Sequence, residues 1–150
     1  MSHHTASPEE FHRIITDFMA GNGTRDPERF NSFLDPTLVS CSAEDQTLRI
    51  SIRTQRRMEN PRGGLHGGIA ASLADYAMGV LTLGLCGGSI PSTVSLSLDY
   101  IRPVPPDAVL VMEAVCLKAG KTIVHLTASG WLENAPDQAV IAASGTYYIP

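Results

Sequence analysis

The sequence predicts an α+β fold: an antiparallel β-sheet wrapped around one long central helix, with helices added at the N-terminus. Three observations carry this. The apolar period is helical as far as Leu34 and changes to two from Pro36 onward. The segment Ile69 to Leu85 is apolar on almost every side, which places it in the centre of a domain. Six strand-like segments flank it, two before and four after, and that order is not the alternation of strand and helix that builds a parallel sheet. The chain divides accordingly into a helical extension, residues 1–35, and a sheet domain, residues 36–150.

In chain order, Met1 to Ala6 reads as a loose tail, whose His3-His4 pair has no partner at ligand spacing to make a metal site. Ser7-Pro8-Glu9-Glu10 opens a helix, with Ser7 as cap, Pro8 in the first turn and Glu10 at capping-box distance. Phe11, Ile14, Ile15, Phe18 and Met19 form its apolar stripe, His12 lies off it, and Gly21 ends it. A shorter helix follows, with Asp26 as cap, Pro27 at its start and Phe30, Phe33 and Leu34 facing inward. Leu38 to Ala43 and Thr47 to Arg53 make a hairpin, with Leu48, Ile50 and Ile52 on the buried face. After the central helix and the Cys86-Gly87-Gly88 turn come strands over Thr93 to Arg102, Val109 to Lys118, Thr122 to Glu133 and Val140 to Tyr148. In the first of these Val94, Leu96, Leu98 and Tyr100 alternate against Thr93, Ser95, Ser97 and Asp99.

Composition excludes several classes of function. A net charge of −4 and a pI of about 5.6 lack the basic footprint of a nucleic-acid binder. No basic start leads into an apolar run, so neither a signal peptide nor a span is expected, and the central helix looks too short and too interrupted by Asp75, Gly79 and Gly84 to cross a bilayer. The three cysteines lack CxxC spacing and read as reduced thiols of a cytoplasmic protein, in which the Asn22-Gly23-Thr24 sequon would stay unmodified. Ala119-Gly120-Lys121-Thr122 resembles the end of a P-loop, but Val115 stands where its first glycine belongs. His125 sits in a strand without a nucleophile at suggestive spacing and reads as a core or edge residue.

The chemistry concentrates around Asn60-Pro-Arg-Gly-Gly-Leu-His66-Gly67-Gly68 and the helix it opens. Asp75 is the anomaly of that helix, because a carboxylate among apolar residues is costly to bury without partners. Its lane consists of small residues (Gly68, Ala71, Ser72, Gly79, Thr82), so another group can approach it closely. The alternative is an Asp bonded to a nearby backbone group, or simply solvated. Gly67 and Gly68 leave backbone N–H groups bare at a helix start, where the dipole favours negative charge and an acyl-transfer oxyanion can be held. Equally, the glycines can serve only to turn the loop tightly. Arg56, Arg57 and Arg62 stand just before the motif, as a solvated basic loop or as phosphate ligands.

The run from Asn60 through His66-Gly67-Gly68 to Asp75 resembles the signature of the hotdog-fold acyl-CoA thioesterases, in the phenylacetyl-CoA thioesterase (PaaI-like) branch. The resemblance continues through Ser92 to Pro103 and Leu117 to Thr122, and covers roughly Pro36 to Tyr148. It implies a hotdog fold and hydrolysis of acyl-CoA thioesters, with an aryl-acetyl or medium-chain acyl group, to free acid and coenzyme A. It matches Asp75 to the catalytic carboxylate, acting as general base or as nucleophile, and Gly67 to the oxyanion-hole amide. Asn60 matches the residue that helps to place water or substrate, and His66 the histidine that supports the loop. Gly68 and Thr93 fall at substrate-binding positions, and the three arginines lie near enough to meet coenzyme A phosphates. No metal or organic cofactor is implied; coenzyme A enters only as part of the substrate.

One geometric constraint follows. Eight helical residues at about 1.5 Å each separate Gly67 and Asp75 by roughly 12 Å along the axis, more than an Asp side chain can span. Two chains with antiparallel helices can bring both groups to one thioester carbon, which predicts a two-fold homodimer with shared sites, and the family resemblance adds a dimer of dimers. Two other readings compete. A hotdog hydratase would show a His several residues after the Asp, which this chain lacks, and a non-catalytic acyl-CoA binding module would not need the full Asn60, His66, Gly67, Asp75 set.

Overall fold

Ser7 accepts the Glu10 N–H at 3.2 Å and starts α1 (Pro8–Met19), which packs Phe11 and Ile15 fully against the rest of the chain. A computed structural model describes residues 6–21 and 26–150; His3-His4 and the sequon at 22–24 lie outside them. The second helix, α2 (Phe30–Leu34), begins later than its sequence suggests. Asp26 does cap, accepting the Glu28 N–H at 3.0 Å, but what it caps is a turn ahead of the helix. Leu34 is buried as expected, whereas Phe30 is 51% exposed and stacks on Phe33 instead of entering the core.

The strands are β1 (Thr37–Ser42), β2 (Thr47–Arg53), β3 (Ser92–Tyr100), β4 (Val109–Ala119), β5 (Ile123–Leu132) and β6 (Ala135–Tyr148). They form one sheet in the order β1-β2-β4-β5-β6-β3, antiparallel throughout. The helix α3 (Gly67–Leu85) lies against its inner face. Leu48, Ile50 and Ile52 of β2 meet it as the alternation requires, joined by Leu110, Met112, Val124, Leu126 and Ile141. This is the antiparallel sheet around a central helix that the sequence predicts. By length (19 residues) and mean hydropathy (1.4), α3 is long and apolar enough to cross a membrane, so the expectation that it is too short fails. Its apolar surface is instead taken up by the sheet and α1: Leu73, Ala74, Ala77, Met78 and Leu81 have no exposure at all.

Two strands depart from expectation. β6 starts at Ala135, several residues early, because the turn at 133–134 is tight and Pro136 is accommodated in an irregular stretch before pairing with β3 begins at Ile141. In β3 the register slips between Thr93 and Ser95. This β-bulge breaks the alternation, so that Thr93 stands opposite Tyr147 and Leu96 opposite Gly145, both on the inner face, while Val94 is 59% exposed. His125 lies exposed on the outer face, 3.2 Å from Thr146 Oγ1, not in the core. The cysteines are half-buried free thiols; burial pushes Cys86 up to about 11, and the exposed His12 Nδ1 lies 3.3 Å from Cys41 Sγ.

Candidate active site

At the start of α3, the loop before it is folded by its own polar groups. Asn60 Oδ1 accepts the N–H groups of Arg62 (2.8 Å) and Gly64 (3.3 Å), and its Nδ2 donates to Leu65 O at 3.2 Å. The Asn60 side chain is thus largely spent on its own loop, with one N–H left over. His66 is the N-cap: its Nδ1 accepts the Gly68 N–H at 3.0 Å, which requires that nitrogen to be unprotonated and places a neutral ring's proton on Nε2. The sequence expectation of two bare glycine amides is therefore half corrected, because the Gly68 N–H is taken. The Gly67 N–H has no acceptor among the described residues. Tyr100, which the motif did not reveal, donates its hydroxyl to Gly67 O at 2.8 Å, and its ring lies so close that a Cβ on Gly67 would stand 3.3 Å from it. Asn60, Gly67, Tyr100 and Arg102 line one open pocket of about 320 Å³.

Two turns along, Asp75 lines a different pocket of about 270 Å³ with Ser72, Tyr76, Thr93 and Tyr147. Its remaining wall is mainly apolar, with Phe18, Phe30 and Leu34 from the N-terminal helices and Val80 and Leu83 from α3. Thr93 Oγ1 donates to Asp75 Oδ1 at 2.8 Å, so the bulge in β3 delivers the hydroxyl that the family pattern implies. Tyr147 donates to the same Oδ1 at 2.8 Å, its proton shared with Asp75 O at 3.1 Å. Oδ2 has no partner among the described residues; since no buried side-chain oxygen is left unpaired, solvent reaches it. Burial, and then the adjoining carboxylate, raise the Tyr147 hydroxyl far above the ordinary phenol range, and burial pushes Tyr76 up to about 12.

Tyr147 can come this near because its ring occupies a slot between glycines. A Cβ on Gly145 would meet the ring at 2.9 Å and Met78 Cε at 3.0 Å, and one on Gly79 would touch the ring at 3.7 Å. The small lane around Asp75 thus admits a tyrosine from the last strand. Alternation could have placed Tyr147 inward, but nothing local in the sequence shows that β6 runs beside this turn of α3.

The three arginines are exposed. Arg57 lies over the Phe33 ring, 4.7 Å from its centroid, and donates to Gln55 at 2.8 Å, while Arg56 and Arg62 form no ion pair among the described residues.

Residues 62–137 match the sequence model of the thioesterase superfamily. The chain belongs to that superfamily. A Halobacterium salinarum protein provisionally named an esterase is 30% identical over 96 residues, 61% of this chain and 62% of its own length. The acyl-coenzyme A thioesterase THEM4 of Xenopus laevis is 35% identical over 57 residues, 38% of this chain and 25% of its own. The chain thus spans less than two thirds of either curated relative. Among solved structures, the E. coli PaaI protein of the phenylacetic acid degradation operon superposes with a TM-score of 0.81 at 16% identity, over 97% of this chain and 96% of its own. A hypothetical thioesterase of Streptococcus pneumoniae, solved with coenzyme A, gives 0.70 at 20% identity, over 78% and 90%. At such identities these two structures establish the hotdog fold.

Proposed function

We propose that the protein hydrolyses acyl-CoA thioesters, with Asp75 as the catalytic carboxylate and the Gly67 N–H as the oxyanion donor, in the manner of the PaaI-like branch. One observation carries this: a carboxylate in a thioesterase-superfamily chain, held by one oxygen and solvent-reached at the other, on the wall of a mostly apolar pocket. Oδ2 activates a water, or attacks the thioester carbon directly and forms an anhydride that water then opens; the thiolate of coenzyme A leaves. The Gly67 N–H, supported by the helix dipole, stabilises the charge on the carbonyl oxygen. At about 270 Å³ the Asp75 pocket falls just below the ~300–1,000 Å³ usual for drug-sized ligands, which suits an aryl-acetyl or medium-chain acyl group rather than the whole ester. Arg56 and Arg62, and Arg57 after release from Phe33, serve the coenzyme A phosphates.

The reaction needs two chains in this reading. Gly67 and Asp75 line separate pockets, and one of the two edges of the sheet, β3, carries exposed Ile90, Val94, Tyr100 and Ile101 at or beside it. An apolar edge strand of this kind favours a partner over solvent. A two-fold dimer along β3 sets one chain's Gly67 beside the other's Asp75, with a dimer of dimers as the larger assembly and the cytoplasm as the compartment.

The test is thiol release from phenylacetyl-, benzoyl-, hexanoyl- and palmitoyl-CoA by wild type and Asp75→Asn. Turnover of the aryl or hexanoyl substrates, lost about a hundredfold or more in the variant, is expected. Binding without hydrolysis of any of the four would make the chain an acyl-CoA binding module and overturn the proposal.

A further inference from the structure

We infer that Tyr147 is a positioning residue of this site: together with Thr93 it pins Asp75 Oδ1 and leaves Oδ2 as the only oxygen that works on substrate. The inference rests on the thioesterase reading and adds to it a residue outside the family motif. Its grounds are geometric. A carboxylate has two equivalent oxygens, and an unrestrained Asp can present either. Here two hydroxyls donate to one of them, both at 2.8 Å, and none of the described residues donates to the other. Tyr147 is 1% exposed, so its hydroxyl cannot turn to water, and the Gly145 and Gly79 slot fixes the ring. Its second contact, 3.1 Å to Asp75 O, ties the hydroxyl to the backbone of the same residue, so side chain and helix are held as one unit.

Both hydroxyls donate to the carboxylate, so removing either withdraws a hydrogen bond from its charged form. Few other groups act on it. The titratable side chains lining this pocket are Asp75 itself, Tyr76 from α3 and Tyr147 from β6; β3, α1 and α2 present Thr93, Phe18, Phe30, Asn31 and Leu34, none of which titrates.

Tyr147→Phe keeps the ring in its slot and removes only the hydroxyl. In the 150-residue chain, kcat on the best substrate of the acyl-CoA panel is expected to fall roughly tenfold with KM little changed. The acid limb of kcat/KM is expected to move to higher pH, because a donor to the charged carboxylate is gone. Thr93→Val is expected to move the limb in the same direction, and the double variant further than either. The limb reports folded molecules alone, so a lowered Tm does not blur it. Loss of rate with an unmoved limb would mean a merely structural tyrosine and overturn the inference. Wild-type rate and limb in Tyr147→Phe, with Asp75→Asn inactive, would overturn the Tyr147 assignment and leave the thioesterase reading standing. An inert wild type, or an Asp75→Asn variant as active as wild type, would overturn both.

Discussion

The two ends of the proposed site use their polar groups differently. Around Asp75, hydroxyls from β3 and β6 are directed at a side chain, and one chain supplies the whole arrangement. Around Gly67, the Asn60 amide, the His66 ring and the Tyr100 hydroxyl are directed at backbone, and together they shape a loop and a helix start that leave one N–H without an acceptor. The first end fixes the orientation of a carboxylate; the second sets the position of a dipole. Substitutions of the two hydroxyls at the first are therefore expected to appear in pH profiles, and those at the second in kcat at every pH.

The largest expected effect is that of Asp75→Asn, a hundredfold or greater loss of thiol release at all pH values. Gly67→Ala comes next. Its new methyl meets the Tyr100 ring at 3.3 Å, so the helix start or the ring must give by tenths of an ångström, and a roughly tenfold fall in kcat with an unshifted pH profile is expected. A shifted profile would show that the two ends are not separable in this way. Gly145→Ala presses on Tyr147 and Met78 at 2.9–3.0 Å, both inside the core. Overpacking of this kind costs about 1–3 kcal/mol, read as a lowered Tm, and an acid limb displaced as in Tyr147→Phe would tie the slot to the carboxylate. The smallest effect lies at alkaline pH. Burial raises Tyr76 to about 12, so the folded chain holds that proton where the unfolded one has lost it. The associated stability is complete below the ordinary phenol value near 10 and disappears as pH rises through about 12. Melting curves between these limits are expected to fall, and to fall less in Tyr76→Phe.

Much of this was legible in the sequence, for local reasons. The Ser7 cap, the β1–β2 hairpin and the apolar helix from Ile69 each announce themselves within a few residues, and the order of segments gives the sheet wrapped around α3. The Asn60 to Asp75 spacing gave the proposed site its candidate residues, although their bonding was not readable: His66 proves to take the Gly68 amide, and Asn60 to fold its own loop. What stayed hidden depends on strand neighbours. That β6 lies between β5 and β3, which brings Tyr147 beside Thr93 and both to Asp75, is a property of topology, written in no single segment. Phe30 misled for a related reason. Its spacing is that of a core residue, but the surface it faces is the rim of a pocket, and pattern alone does not distinguish a filled interior from a cavity kept open.

The bulge at Thr93 has a bearing on how such a site is altered or acquired. One extra residue changes which side chain faces α3 at the start of β3, while the pairing from Ser95 onward is untouched. Deleting Val94 would restore strict alternation with Thr93 still opposite Tyr147, whereas pairing Val94 into the ladder would turn it inward and Thr93 toward solvent, without disturbing Leu96 or Leu98. Whether one residue is bulged or paired at this point thus decides if a hydroxyl or a valine faces the carboxylate, with no substitution in the core.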